Sequence, residues 1–494
     1  MSHDLFKNTE IPHYVEKTVN LLENAGFEAY LVGGCVRDLI LNNTPKDWDI
    51  TTNATPEQIV ALFPKTVYEN NFGTVAVVWE HEEENEKSDI VEITPFRTEG
   101  KYTDNRHPDS VVFTKNISED LKRRDFTVNA MAYRSKTGEL VDLFDGIKDI
   151  KDKIIRAVGN PDERFQEDAL RMLRAIRFST VLGFTIAQET LEAVFHNHDL
   201  LEHVSKERIR DEFIKIIEST NPSLGIILLE KTKLLSHIIP ELREGIGCEQ
   251  GGAHKYAVFE HLLGALDHAA KKGFSTELRL AALFHDIGKP RTRRPGIKKA
   301  YTFYGHEVVG AHMTKKILER LRFKKDMSEL IVQLVRSHMF FSDTEQITLS
   351  AVRRIITNVG KEHIWELMDI RECDRVGMNK TEAPYRLRKY HAMIEECLRD
   401  PISVKQLAID GSYLMHTLGI NAGPRMGWIL NALLEEVLDD PSKNTVEILS
   451  IRVKELELLN DKELKELGEK AKEKKEEVEQ EEVVKLHKKH GVTK

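Results

Sequence analysis

The chain has 494 residues, 40% of them hydrophobic, enough to core three or four domains, and no apolar stretch nears the ~20 residues of a membrane span. Its 72 basic and 81 acidic residues leave a net charge of −9, which excludes a protein that coats nucleic acid indiscriminately but allows one groove of gathered basic groups. Dispersed Cys35, Cys248, Cys373 and Cys397 form no CxxC pair and MSHDLFKNTE shows no signal-peptide pattern, so neither a disulfide framework nor a structural zinc site is expected, and a cytoplasmic location is.

Residues 1 to about 30 carry a helical pattern (Val15, Val19, Leu21, Leu22) that ends at Gly26. Leu31 to Asn53, LVGGCVRDLILNNTPKDWDITTN, then reads as a strand, a tight turn at Gly33-Gly34, a helix start at Arg37-Asp38 and a second strand. Paired glycines let backbone approach an anion, and the helix N-terminus beyond them offers N–H groups to phosphate. Asp47 and Asp49 stand at i and i+2, so on a strand both carboxylates share one face while Trp48 takes the other. Two carboxylates beside a phosphate cradle are what metal-assisted nucleotidyl transfer requires; the bland alternative is a surface turn with two solvated aspartates.

Thr55 to Phe63 reads as a helix with Pro56 at its first position, and Thr66 to Trp79 as one β-rich strand. HEEENEKSD reads as a solvated hairpin tip. In the next strand, Ile90 to Phe96, Glu92 is either a third metal-site carboxylate or an edge-strand acid facing water. Arg97 to Ser110 is a charged loop without apolar periodicity. Arg123-Arg124-Asp125 precedes an apolar strand; arginine can clamp a triphosphate in fork geometry, and the aspartate can accept from a ribose hydroxyl.

Residues 148 to about 245 turn helical. In Arg164 to Phe178, RFQEDALRMLRAIRF, the spacing predicts one helix that puts Asp168, Arg171 and Arg174 on neighbouring parts of a face, over an apolar stripe of Leu170, Leu173 and Ile176. Adenine and cytosine both present a ring-nitrogen acceptor beside an exocyclic amino donor, which one guanidinium and one carboxylate match. Guanine and uracil present the reverse polarity and would leave buried partners unpaired. The alternative is an exposed i, i+3 salt bridge of little energetic worth. Lys206 to Ile217 reads as an amphipathic helix with Arg208 and Glu212 placed for an i, i+4 pair.

GGCVRD followed by DWD, the later RRDFTVNA and then EDALRMLRAIRF resemble, in that order, the successive motifs of bacterial tRNA CCA-adding nucleotidyltransferases and poly(A) polymerases. The resemblance implies Mg²⁺ held by Asp47 and Asp49. It implies nucleotide binding by Gly34, Arg37, Arg124, Asp168, Arg171, Arg174 and Arg177, with Glu167 orienting the base-reading pair and Arg208 and Glu212 bracing it. CTP, ATP and the tRNA 3′ acceptor end are the implied partners. In this family a flexible loop at the place of Arg97 to Ser110 is associated with the switch from C to A addition; the other reading is an ordinary surface loop.

From Cys248 onward the chain is histidine-rich helix. His285-Asp286 ends an apolar helix, with Gly288 and Lys289 just after, and imidazoles and carboxylates from separate helices can jointly hold a metal. The set resembles the HD-domain phosphohydrolases. Carried over position by position, it implies His261, His285, Asp286 and Asp374 as core ligands of a divalent transition metal or Mg²⁺, and His306 and His338 at the places that bind a second ion. Hydrolysis of terminal phosphates or 2′,3′-cyclic phosphates is the implied chemistry. Around Gly419 and the Gly-Pro pair, a loop-helix entry either touches RNA phosphates or simply packs, and the Lys/Glu-rich end beyond Val453 carries no expected chemistry.

The expected fold is α+β: a nucleotidyltransferase head with a mixed sheet (1–147), then helical neck (148–245), HD domain (246–380), tRNA-binding tail (381–452) and charged extension (453–494). The rivals are an A-only adding enzyme, which would share every motif, a poly(A) polymerase, and a chain that is chiefly an HD phosphohydrolase. The intact aspartate pair speaks against the last.

Overall fold

The computed structural model describes residues 10–68, 73–80, 88–100, 110–251, 256–296, 300–339, 348–376, 385–398, 407–470, 484 and 488–490. Most of the expected acidic tip after Trp79 and of the loop from Arg97 to Ser110, and part of the charged C-terminal extension, lie outside the described residues.

Helix α1 (His13–Asn24) buries Val15, Val19 and Leu22 and leads into β1 (Ala29–Val32), buried along its whole length. Gly33 turns the chain at φ +80°, a conformation closed to most side chains, and α2 (Gly34–Ile40) starts at once. Strand β2 (Asp49–Thr52) follows, and α3 (Pro56–Leu62) opens on a capping box between Thr55 and Gln58. The stretch expected as one strand is two antiparallel ones, β3 (Thr66–Tyr68) and β4 (Val75–Trp79); a turn-forming Asn-Asn pair separates them in sequence.

Strand β5 (Asp89–Pro95) lies between β4 and β2, so Glu92 is not an edge-strand acid: it stands opposite Asp49 in the parallel β2–β5 register. The described ends of the charged loop form a separate hairpin, β6 (Arg97–Glu99) with β7 (Val111–Phe113). After α4 (Ile117–Lys122), β8 (Met131–Arg134) and β9 (Glu139–Asp142) complete a seven-stranded mixed sheet of order β3-β4-β5-β2-β1-β8-β9. Both motif strands are thus central, with the β1–α2 turn and the start of β2 close together.

From α5 (Gly146–Asp152) on the described residues are mainly helical, with two short strand pairs, Ile154–Ile155 with Thr185–Ile186 and Arg294–Pro295 with Tyr301–Thr302. The single helix expected across Arg164 to Phe178 is two, α6 (Pro161–Glu167) and α7 (Leu170–Leu182). Asp168 sits in the break with extended backbone (φ −140°, ψ 105°), and its carboxylate accepts the Leu170 N–H at 3.1 Å. Aspartate competes for backbone donors in this way, which makes it a better cap than helix interior. Then come α8 (Gln188–His196), α9 (Lys206–Ile217), α10 (Pro222–Lys231), α11 (Leu235–Ile238) and α12 (Pro240–Arg243). Helix α7 packs on α9 and α10 through an apolar face that includes Met172, Leu173 and Ile176.

Further along the chain come α13 (Val258–Lys271), α14 (Thr276–Phe284), α15 (Lys289–Thr292), α16 (His306–Arg320), α17 (Lys325–Ser337), α18 (Leu349–Val359) and α19 (Ile364–Asp374). Two compact units emerge, Met1–His338 with Met368–Asn379, and Met339–Leu367 with Lys380–Lys494. In the second, the helix Pro424–Asp439 buries Ile429 and Leu433 against Leu414, Leu449, Val453, Leu456 and Leu464. Arg425, next to the Gly-Pro pair, donates to the carbonyls of Glu457 and Leu459 at 2.7 Å, so it ties the helix start to its own unit. No helix among the described residues is long and apolar enough to cross a membrane.

Candidate active site and metal centre

Trp48 is buried, Asp47 exposed and Asp49 half-buried; β2 starts only at Asp49, so Asp47 lies in a bend just ahead of the strand expected to carry both aspartates. The Gly33 turn faces Asp49. A Cβ on Gly33 would stand 3.1 Å from Arg124 Nη1 and 3.7 Å from Asp49 Oδ2, so the glycine leaves open the space where guanidinium and carboxylate meet. Arg124 Nε is buried and makes no hydrogen bond, while Nη2 lies 3.3 Å from Asp120. Such an orphaned donor beside an open glycine turn fits an anionic ligand. Burial pushes the Asp49 carboxyl above its ordinary value; Arg124 draws it down and the Asp47 carboxylate pushes it up again. This crowding of like charge fits a cation held between the two aspartates.

Below this cradle lies a cross-braced arginine set. Arg37 donates through Nη1 to Asn129 Oδ1 at 2.7 Å and through Nε and Nη2 to Asp38. The Phe178 ring carries Arg177 at 4.0 Å, Arg174 at 5.3 Å and Arg37 at 5.4 Å from its centroid. Arg174 pairs with Asp125 at 2.5 Å, and Asp125 also accepts the Phe126 N–H, so it is a structural anchor and not an open ribose acceptor. Arg177 pairs with Glu212 at 2.7 Å. Burial above all, helped by Arg174 and Arg37 against Glu212, lowers Arg177 to about 10, which leaves it charged at neutral pH.

The Asp168 and Arg171 side chains do not pair with each other, although the Arg171 N–H donates to the Asp168 carbonyl at 3.0 Å. Arg208 reaches Asp168 at 2.8 Å, and Glu167 holds Arg171 at 2.6 Å. The expected Arg208–Glu212 pair within α9 is replaced by two bridges from α9, Arg208 to Asp168 and Glu212 to Arg177 on α7. Both residues still brace, by crossing between elements. Arg171 Nη2 donates to the Arg123 carbonyl at 3.0 Å, which places the start of α7 one residue from Arg124. The carboxylate and the guanidinium each keep spare capacity for a base edge, since Arg171 engages three of its five N–H donors in the bonds described. Asn129 of the RRDFTVNA string locks Arg37, a contact between residues 92 apart that the string alone does not signal.

The HD residues converge tightly. His261 Nε2 and His285 Nε2 are 3.1 Å apart and each lies 3.3 Å from Asp286 Oδ2; Asp374 Oδ1 is 3.5 Å and 3.4 Å from them. The other Asp286 oxygen lies 3.1 Å from His306 Nε2 and 3.6 Å from His338 Nε2. Asp286 therefore joins two donor groups, His261/His285/Asp286/Asp374 and Asp286/His306/His338. All four imidazoles turn Nδ1 to a backbone carbonyl (Val376, Ala282, Phe303 and Val335), at 2.7–3.2 Å. That bond fixes the proton on Nδ1 and aims the Nε2 lone pairs inward, as metal-ligating histidines require.

Gly288 permits the approach: a Cβ there would strike the His306 carbonyl and the Gly310 amide, holding α16 away from Asp286. Lys289 contacts Asp286 Oδ2 at 2.5 Å and Gln250 at 2.7 Å, two neighbours for which only the lysine's place after His285-Asp286 gave a signal. Although burial lowers it, His285 is raised to about 10 by Asp286 and Asp374, and both carboxyls are held well below their ordinary value despite burial. The site demands positive charge, and the donor set fits a pair of divalent ions.

Residues 29–156 match the Poly A polymerase head domain, 183–246 the probable RNA and SrmB-binding site of polymerase A, and 258–378 the HD domain. The CCA-adding enzyme of Ligilactobacillus salivarius is 35% identical over 451 residues, 90% of this chain and 98% of that one. This chain belongs to the CCA-adding enzyme family. The Lactobacillus helveticus CCA-adding enzyme is 52% identical over 196 residues, 40% of this chain, so the match spans about half of that relative's length (47%). The crystal structure of the Bacillus stearothermophilus CCA-adding enzyme in complex with CTP shares 27% identity at a TM-score of 0.59, over 90% of this chain and 98% of that one. The α+β architecture, a mixed-sheet head followed by helical regions, is that of the CCA-adding enzymes.

Proposed function

We propose that this chain adds C and A to the 3′ end of tRNA from CTP and ATP without a nucleic-acid template. The observation that carries the reading is the meeting of the Gly33–Arg124–Asp49 cradle with the Asp168/Arg171 pair through the Arg171 bond to Arg123. The 3′-hydroxyl oxygen attacks the α-phosphorus and gives its proton to solvent water, while the bond from the α-phosphorus to the oxygen bridging the β-phosphate breaks and pyrophosphate leaves. Asp47 and Asp49 would hold Mg²⁺, with Glu92 on the neighbouring strand a candidate third carboxylate. Bound there, the metal supplies charge stabilisation at the reacting phosphate and its leaving group. Arg124 offers its unbonded Nε, and Gly34 the first amide of α2, to phosphate oxygens. Arg37, Arg174 and Arg177 set a positive field around Phe178 beside the base-reading pair.

Asp168 accepts the exocyclic amine of C or A while Arg171 donates to the ring nitrogen. A guanine or uracil edge would set donor against donor and acceptor against acceptor. The test is transfer of labelled CTP or ATP to tRNAs ending before CCA, after C and after CC. Addition to all three supports the reading; addition only after CC would assign A-only activity, and unlimited A addition would assign poly(A) synthesis.

The HD cluster supports a second, separate activity, hydrolysis of terminal or 2′,3′-cyclic phosphates, with a divalent transition metal or Mg²⁺ held by His261, His285, Asp286 and Asp374 and a second ion by Asp286, His306 and His338. Phosphate release from RNA ends that persists in Asp47→Ala protein checks it.

A further inference from the structure

Away from both sites, His198, Asp199 and His237 bring three donor atoms to one point in the neck. His198 opens a single 3-10 turn, His198–His203, just after α8, and His237 lies on α11. His198 Nδ1 is 3.0 Å from His237 Nε2, and Asp199 Oδ1 is 3.1 Å from the first and 3.5 Å from the second. A tetrahedral ion with ligands at ~2.05 Å holds them about 3.3 Å apart, and these separations bracket that value.

Protons alone serve this arrangement poorly. Glu202 Oε1 lies 3.3 Å from the other His237 nitrogen, Nδ1. A proton there leaves Nε2 with its lone pair pointing at His198 and Asp199, the carboxylate–histidine relay that sets a metal-binding tautomer. One N–H on His198 can then satisfy either His237 Nε2 or Asp199, and the third donor atom faces a lone pair. A divalent cation satisfies all three at once. The imidazoles are held in place: their side chains are 17% and 10% exposed, and the Phe195 ring packs edge-on against His198 with centroids 6.3 Å apart. Asp199, 80% exposed, leaves a side open to water as a fourth ligand.

We infer that His198, Asp199 and His237 form a third metal site, taking a zinc-type divalent transition metal, with Glu202 orienting His237. Two histidines and one carboxylate are a recurrent zinc donor set. The site clips together segments 39 residues apart in sequence, so its role is to pin the neck beneath the base-reading helix.

The test is zinc binding by full-length, chelator-stripped protein, read as equivalents retained after gel filtration and as affinity in competition with a chromophoric chelator. Wild type is expected to retain one equivalent more than His237→Ala and Asp199→Asn. Asp199 is exposed, so its replacement keeps the fold, which circular dichroism checks. Glu202→Gln is expected to bind the same equivalent roughly 10–100-fold more weakly. Asp286→Asn is expected to keep it while losing metal from the HD cluster. Equal stoichiometry and affinity in wild type, His237→Ala and Asp199→Asn would overturn the assignment.

Discussion

The arginines of the proposed nucleotide path hold protein partners: Arg37 on Asn129, Arg171 on Glu167, Arg174 on Asp125, Arg177 on Glu212. In the HD cluster, four inward imidazole nitrogens and two carboxylates largely face one another, with Lys289 and Arg371 as the cations beside them. The first arrangement is a pre-braced frame whose groups keep their charge whether or not a ligand is bound. The second is a cluster of imidazole nitrogens and carboxylates whose surroundings call for positive charge, supplied by protons or by metal ions. A site that must read a base needs fixed donors and acceptors; a site that must hold ions needs donors with little else to bond.

Two substitutions cut this comparison most sharply. Asp49→Ala is expected to lower nucleotide addition by at least about a thousandfold and to leave phosphate-ester hydrolysis unchanged. Asp286→Asn is expected to do the reverse, abolishing hydrolysis and divalent-metal retention in the HD cluster while CCA addition persists. Parallel assays of both activities on both proteins check the pair, and joint loss in either would break the two-site account.

The next effect is on the frame. Asp120 is fully buried under Arg123 and Arg124, and Asp120→Ala leaves those guanidinium groups without their carboxylate, at a cost of about 3 kcal/mol in denaturant unfolding. Burial works to raise Asp120 and Asp125, but Arg123 and Arg124 for the one, and Arg174 for the other, hold both below the ordinary carboxylate value. A depressed folded value adds stability that is present above the unfolded value, about 3.9, and is lost as pH falls below it. The melting temperature should therefore drop steeply below about pH 4, and Asp120→Asn should flatten that limb.

Smaller again is Arg208→Gln, which removes the partner of Asp168. It is expected to loosen discrimination against GTP and UTP about tenfold, the cost of one weakened hydrogen-bonding partner, with the HD activity untouched. Thr55→Ala, remote from both sites, removes a capping box and should cost ~1 kcal/mol without altering either activity.

The HD donors were legible in the sequence because residue chemistry and order carry over even though the distances do not. The strand–glycine turn–helix order was legible because turn residues act locally, but Asp47 and Trp48 fall just ahead of the strand expected to carry them. Asp168 was misplaced inside a helix because spacing counts residues and cannot weigh a carboxylate's preference for a backbone N–H two positions on. The exchange of partners by Arg208 and Glu212 is tertiary, and an i, i+4 spacing gives no warning of it. His198 and His237 stand 39 residues apart and meet only in the tertiary structure, so no local spacing pairs them.

The central claim is that Asp168 and Arg171 replace a template. It is tested most directly by single-turnover transfer of CTP, ATP, GTP and UTP to matched tRNA ends, in the wild type and in Asp168→Ala and Arg171→Ala. Loss of one partner is expected to cut the preference for C and A over G and U by about a hundredfold. Variants that are merely slower, with the preference intact, would contradict the account.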